Sequence, residues 1–268
     1  FKQKTAYEIG VRLVGSEMCI RDSSNRIPVA IACCSQQAAR VHQALGYQAN
    51  KFTIIPNGYD LTQFRPDLVA RAKIRQEWKV APEEILLGLV ARWDRQKDHP
   101  NLLHTLVLLA KKGLEFRCVL VGTGMSRENQ QLAKLIRQLS LEDRLILTGP
   151  RNDIPDVMNA LDLHVLSSAG EAFPNTVAEA MACGTPCIVT DVGDAALIVG
   201  DTGWIAPPQN PAALAERVEQ GLVTLQSEGH EALRQRCRTR ITEHFSLERM
   251  VSAYRDLWEA TVMPRKMT

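Results

Sequence analysis

Leu163-His164-Val165-Leu166-Ser167-Ser168-Ala169-Gly170-Glu171-Ala172-Phe173-Pro174-Asn175-Thr176-Val177-Ala178-Glu179-Ala180-Met181-Ala182-Cys183-Gly184-Thr185-Pro186 changes character twice along its length. A short apolar run, Leu163 to Leu166, gives way to small polar residues and then to an Ala-rich run that Gly184 and Pro186 stop, the pattern of strand, loop, helix and terminator. Pro174 suits a first helical turn, where its missing N–H would be unpaired in any case, and Gly184 suits the left-handed cap at the far end. Glu171 is therefore expected in the loop and Glu179 on the helix. Backbone N–H groups around Phe173 to Thr176 would point out of a helix N-terminus, where phosphate or a hydroxyl-rich ligand is favoured. A carboxylate at each end of that cradle can accept hydrogen bonds from sugar hydroxyls. For an isolated pair of this spacing the plain alternative is two solvated side chains; the motifs elsewhere in the chain argue against it.

Working outward, strands are expected at Ile85–Val90, Phe116–Val121, Leu145–Thr148, Leu163–Leu166 and Cys187–Thr190, with helices at roughly Asn101–Lys112, Arg127–Leu139, Ile154–Ala160 and Asn175–Cys183. Such alternation implies an α/β fold, a Rossmann-like parallel sheet with helices on both faces that binds ligands at the C-terminal ends of its strands. Helices from Pro211, from about Glu231 and from Leu247 finish the chain. Upstream, a strand over Val29–Ser35, a helix over Gln36–Leu45 and a strand over Phe52–Ile55 make a βαβ-like piece. The turn Ile55-Pro56-Asn57-Gly58-Tyr59-Asp60 then breaks regular structure, because proline fixes one dihedral and Asn-Gly favours positive φ.

Each loop after a sheet strand is a candidate wall of one site. Ala91-Arg92-Trp93-Asp94-Arg95-Gln96-Lys97-Asp98-His99 follows the first; Arg95 reads as surface. Gly122-Thr123-Gly124 follows the second, but Arg127 stands where G-x-G-x-x-G needs its third glycine, so a dinucleotide fingerprint fails and the glycines read as structural. In Gly149-Pro150-Arg151-Asn152-Asp153-Ile154-Pro155 the expected role of Asp153 is to cap the next helix. His99, His104 and His164 read as packed or solvated side chains rather than catalytic ones.

Composition narrows the function classes. An apolar fraction of 45% and a charged fraction of 23% over 268 residues are those of an ordinary soluble protein with ample core. A net charge of +2, from 32 basic and 30 acidic residues, gives no basic field for nucleic acid. No apolar run reaches the roughly 20 residues of a spanning helix. The seven cysteines fall mostly on core-like positions and are expected reduced, as in a cytosolic protein. Cys183 and Cys187 have no second pair at metal spacing, which argues against zinc.

Together the motifs carry a resemblance. Glu-x7-Glu set as E-A-F-P-N-T-V-A-E-A-M-A-C-G-T-P resembles the donor-site motif of the retaining, GT-B-fold glycosyltransferases of family 4, and the likeness runs from about Val29 to about Trp258. It implies that Arg92 and Lys97 contact the donor diphosphate, with a guanidinium fork and an ammonium suited to a leaving pyrophosphate. It implies further that the loop around Asn152 meets the nucleotide base through its backbone, that Glu171 contacts donor-sugar hydroxyls and Glu179 the ribose. The segment Phe173, Pro174, Asn175 and Thr176 then holds the sugar and distal phosphate. Arg92, Lys97 and Glu171 are the candidate catalytic groups.

The resemblance gives residues 63–246 as the donor-binding domain and residues 24–62 as a remnant of an acceptor-side domain with the interdomain link. A crossover helix and tail take 247–268. Residues 1–23 are expected to be non-native, since Tyr7 to Ser23 is similar to mistranslated sequencing adapter. On this reading the first of two Rossmann-like domains is truncated and the chain alone is inactive. No Asp-x-Asp occurs anywhere in the chain, so neither cofactor nor metal is expected: Arg92, Lys97 and a helix dipole take the place of a divalent ion.

The expected function is transfer of a sugar, with retention, from a UDP- or GDP-linked donor to an acceptor such as a lipid-linked glycan, in polysaccharide, lipopolysaccharide or glycoconjugate synthesis. The expected location is the cytoplasm, with peripheral membrane contact through the missing domain. Two alternatives stay open at this stage: a nucleotide-sugar-binding module without transfer activity, and a sugar-nucleotide epimerase of GT-B fold.

Overall fold

The computed structural model of the chain describes residues 21–262. Residues 1–20 of the segment read as non-native, and 263–268 of the tail, lie outside the described residues. The chain divides into two compact units, one of residues 1–56 with 252–268 and one of residues 57–251.

In the first unit β1 (Ile31–Cys33) and β2 (Phe52–Ile54) pair in parallel, Ile31 opposite Phe52 and Cys33 opposite Ile54, with α1 (Gln36–Ala44) between them in sequence. Ser35 is the N-cap of α1, its hydroxyl accepting from Ala38 N–H at 3.1 Å. That role explains why β1 is shorter than the apolar run Val29–Ser35: the last residue of the run caps the helix, and Val29 lies exposed ahead of the paired register that starts at Ile31.

The second unit is a six-stranded parallel sheet: β3 (Leu86–Val90), β4 (Arg117–Val121), β5 (Leu145–Gly149), β6 (Leu163–Leu166), β7 (Cys187–Thr190) and β8 (Trp204–Ala206). Its helices are α2 (Leu68–Glu77), α3 (His99–Lys111), α4 (Gln130–Gln138), α5 (Ile154–Ala160), α6 (Asn175–Ala182), α7 (Ala195–Val199), α8 (Pro211–Glu228) and α9 (His230–His244). A last helix, α10 (Leu247–Val262), begins in this unit and continues past it. The α/β class read from the alternating pattern is the fold observed. Leu102, Leu103, Leu106 and Leu109 of α3, Leu132 of α4 and Leu214 and Val218 of α8 bury their side chains against Leu87, Leu120, Val165 and Ile188 of the sheet. Each such side chain contributes about 1.5–3 kcal/mol by leaving water.

The strand order β5-β4-β3-β6-β7-β8 positions the site. The chain lays down β3, β4 and β5 in one direction, then returns to place β6 on the other side of β3, with Leu87 opposite Leu163 and Gly88 opposite His164. This reversal leaves a crevice at the C-terminal ends of β3 and β6, the switch point where open parallel sheets bind ligands. The loops that flank it are 91–98 and 167–174.

Four elements depart from the sequence reading. Helix α2 is missing from it because its buried face, Ala70, Ile74 and Arg75, is small and partly charged. That face is completed by ion pairs from far along the chain: Asp162 takes Arg71 at 2.5 Å and Arg75 at 3.3 Å, and accepts from Leu86 N–H at 2.7 Å. Strand β8 and helix α7 span three and five residues, too few to show a period. Helix α4 starts at Gln130 rather than Arg127 because the Asn129 side chain caps it, accepting from Leu132 N–H at 3.2 Å.

His99 on α3 and His164 on β6 are wholly buried. His99 Nε2 and both ring nitrogens of His164 lack a hydrogen-bond partner among the described residues. Burial, then the Lys97 charge, lowers both pKa values from 6.5 to about 4, with Asp94 opposing the shift at His99. The unfolded chain therefore binds more protons than the folded one between these values. Stability is full above pH 6.5 and is lost as the pH falls toward 4, by up to roughly 3 kcal/mol per ring. The expected result is a urea midpoint that drops across this window. His164→Leu should flatten the slope without cost at neutral pH, since it removes two unpartnered polar atoms; an unchanged slope would refute the assignment.

Candidate functional site

The loop after β3 continues the parallel ladder for two rungs, Ala91 N–H donating to Val121 O at 2.9 Å and Trp93 N–H to Thr123 O at 2.7 Å. Gly122 makes this possible: at φ +140° a Cβ there would stand 2.3 Å from Ala91 O. The G-x-G is thus a packing device, as the sequence suggested. Asp94 then turns the chain, its carboxylate accepting from Gln96 N–H at 2.9 Å to cap a 3-10 turn over Arg95–Lys97. Asp98, left-handed at φ 44°, caps α3. These two caps fix the backbone on either side of Lys97.

The loop after β6 is fastened to the first. Ala169 N–H donates to Gln96 O at 2.7 Å, and the buried Ser167 hydroxyl donates to Lys97 O at 2.9 Å. Thr190 Oγ1 donates to Ser168 O at 2.6 Å, closing the loop onto β7. Across this seam Lys97 Nζ lies 2.5 Å from Glu171 Oε1, which also accepts from Ser168 Oγ at 2.7 Å. The pair is mostly shielded, with side-chain exposures of 20% for Lys97 and 10% for Glu171. Both bonds fall on Oε1. Gly193 backs the loop from behind at φ +58°, where a Cβ would come within 2.6 Å of Glu171 O.

Helix α6 starts directly beyond. Pro174 is its N-cap, one residue before the first turn where the sequence placed it, so the N–H groups at this helix start come from Asn175 and Thr176 and not from Pro174. Gly184 ends the helix at φ +83° as expected. Glu179 is half-buried one turn from Asn175 on the same face, and burial raises its carboxyl above the usual range. Phe173 is buried with its ring 5.9 Å from that of Phe245.

The crevice therefore gathers Lys97, Glu171, Phe173, Asn175, Thr176 and Glu179. Arg92 stays on the rim: its side chain is 64% exposed and its Nε lies 3.2 Å from Asp94. Asn152 is exposed in the loop after β5 and joins none of these contacts. Asp153 does not cap α5 with its side chain. Arg151 draws both of its oxygens away, at 2.8 and 2.6 Å, while also gripping Glu77 and lying over Trp78. Two site-forming residues escaped the sequence reading, Ser168 and Gly193; neither carries a local signal, because what each does depends on a loop brought up by the fold. Among the described residues no three His, Cys, Asp or Glu side chains gather as a metal site.

Comparison with known proteins places this architecture. The profile of the family described as glycosyl transferases group 1 matches residues 84–223. The chain is 27% identical to the N-acetyl-alpha-D-glucosaminyl L-malate synthase of Bacillus anthracis, over 69% of this chain and 48% of that protein. It is 36% identical to the mannosylfructose-phosphate synthase of Agrobacterium fabrum, over 54% of this chain and 34% of that one. The chain spans about half the length of the curated relatives it matches. Among solved structures, a glycosyltransferase from Rickettsia africae superposes with a TM-score of 0.81 at 21% identity, covering 91% of this chain and 67% of that one. Anabaena Alr3699/HepE, crystallised with UDP and glucose, superposes with a TM-score of 0.78 at 24% identity, covering 92% and 66%. At these identities the structural likeness establishes the fold, a half of the GT-B architecture.

Proposed function

The chain belongs to the glycosyl transferases group 1 family, and on that premise we propose that its crevice binds a nucleoside-diphosphate sugar and transfers the sugar to an acceptor with retention at the anomeric carbon. The observation that carries the reading is the Lys97–Glu171 contact at the switch point, 2.5 Å long and mostly shielded from water. Transfer leaves a diphosphate with growing negative charge. A fixed ammonium and a helix N-terminus in a low-dielectric crevice are the groups that stabilise such a leaving group, with no reorganisation at the moment of reaction. Both bonds that Glu171 accepts among the described residues fall on Oε1, and its Oε2 takes a sugar hydroxyl; Glu179, one helix turn past Asn175, takes the ribose; Arg92 closes on the diphosphate from the rim. No divalent ion is needed in this scheme, because Lys97 and the α6 amides carry the balancing charge.

The solved relative that holds UDP supports a uridine donor over a guanosine one. Cys33, Cys118, Cys183, Cys187 and Cys237 carry free thiols, and no described helix is long and apolar enough to cross a membrane; we place the reaction in the cytoplasm on the strength of these thiols.

Titration calorimetry with UDP and with GDP, in EDTA, tests the reading. Binding of one of them is expected, weakened roughly tenfold by Glu179→Ala, the equivalent of one charge-assisted hydrogen bond. A folded sample that binds neither would overturn the donor site. Binding abolished by EDTA and restored by manganese would overturn the metal-free scheme.

A further inference from the structure

Three grips hold the start of α6. Phe173 packs edge-on to Phe245, Ala172 O accepts from Asp194 N–H at 2.9 Å, and Asn175 Oδ1 accepts from both Asn57 Nδ2 at 2.8 Å and Tyr59 Oη at 2.7 Å. The third grip is the unexplained one. Asn175 is exposed at the first residue of a helix, where an amide would ordinarily rotate freely, yet two donors 116 and 118 residues away in sequence converge on its oxygen. Tyr59 is a fixed post for this purpose. It is buried, its N–H donates to Phe245 O and its carbonyl accepts from Leu247 N–H, each at 3.0 Å.

Two donors fill the two lone pairs of an amide oxygen, so Nδ2 is the outward atom of Asn175. It stands at a helix start with no side-chain cap and no acidic residue in its first turn, whose first N–H groups lack intrahelical partners. The added donor thus extends a row of backbone donors, between Glu171 on one side and Glu179 on the other. A freely turning amide would present its oxygen to an anion as readily as its nitrogen, and the order needed to avoid this would be lost from affinity at each binding event.

We propose that Asn57 and Tyr59 are positioning residues of the donor site, locking Asn175 with its Nδ2 toward the distal phosphate of a bound nucleoside diphosphate. The inference rests on the donor reading above. It assigns a task to the Pro56-Asn57-Gly58-Tyr59 turn besides connecting two pieces of chain: the turn sets the polarity of one contact in the crevice.

The test compares affinities of the full chain for the diphosphate and the monophosphate of whichever base, uridine or guanosine, it binds. Asn57→Ala combined with Tyr59→Phe should lower the diphosphate-to-monophosphate ratio about tenfold and leave monophosphate affinity in place. Asn175→Asp keeps both incoming bonds but turns the outward atom into an acceptor, and should lower the ratio at least as far. If the double variant does not fold, Asn175→Asp decides alone. A ratio unchanged in the folded variants, or equal weakening of both nucleotides, overturns the positioning role while leaving the donor site intact. Failure of the unsubstituted chain to bind either nucleotide overturns the donor reading instead.

Discussion

Placed in an active two-domain transferase, Lys97→Ala should lower kcat for the proposed sugar transfer by about 10²–10³-fold, the cost of removing one preorganised group that meets charge developing in the transition state. Lys97 is held for that task before any ligand arrives. Caps at Asp94 and Asp98 fix the backbone on either side of it, and Glu171 holds its ammonium in the crevice. On the proposed donor reading, an arriving diphosphate has only to share an ammonium already in place, while sugar hydroxyls take over the carboxylate. The same geometry makes the substitution a structural injury, since among the described residues a shielded carboxylate would keep only Ser168 as partner. Leaving one member of a shielded ion pair uncompensated costs about 2–3 kcal/mol here, below the 3–5 of a fully buried pair. Two readouts separate the effects. The kcat loss should persist at low temperature where the variant is fully folded, and Lys97→Arg should recover stability better than rate, because a planar fork does not place charge where an ammonium does. A kcat within threefold of the parent would remove Lys97 from the chemistry. A double-substitution cycle with Glu171→Gln should show coupling of at least about 1 kcal/mol.

Asp162→Ala should destabilise the second unit by about 3–5 kcal/mol, the cost of breaking a buried ion pair from one side. Asp162 is 6% exposed and serves two arginines and one strand N–H. Its removal strands Arg75, 5% exposed, whose guanidinium burial already makes less basic, and leaves Leu86 N–H without its acceptor at the first residue of β3. Backbone carbonyls of Ala160 and Ala81 still receive Arg75, but carbonyls do not neutralise a charge. The loss lies at the N-terminal end of β6, a strand of four residues and thus about 13 Å from its other end. Nucleotide affinity of the folded variant should therefore match the parent even as its urea midpoint falls. A stability change under 1 kcal/mol would show that the arginines find full compensation elsewhere; a parallel loss of affinity would show that the two ends of the sheet are not independent.

These two residues also mark how far the sequence could be read. The five strands with four or more residues announce themselves as apolar runs, and the stretch from Leu163 to Pro186 folds as strand, loop and helix because each boundary carries its own chemistry: small polar residues, a proline, a glycine. Helix α2 is silent because arginine takes one of the three positions on its buried face, and a charge reads as surface until Asp162 is brought to it. Strand order is equally silent, since nothing in a run of Leu and Val says which neighbour it will pair with, yet that order creates the crevice. At the site, residue types were legible and partnerships were not. Lys97 and Glu171 are 74 residues apart, and Asn57 and Asn175 are 118 apart; no local period encodes such pairs. Asp153 shows the converse, a sound capping position overridden by a nearby guanidinium.

The seam between the loops after β3 and β6 has a consequence for redesign. Gln96 and Lys97 supply carbonyl oxygens to Ala169 and Ser167, so the backbone of one loop is the template on which the other sets. A graft of residues 167–174 from a relative with another sugar preference would arrive without its mould. Swapped singly, either loop should give a poorly ordered hybrid; exchanged together with residues 91–98, they form a cassette that carries its own geometry, and specificity in this crevice should recombine two loops at a time.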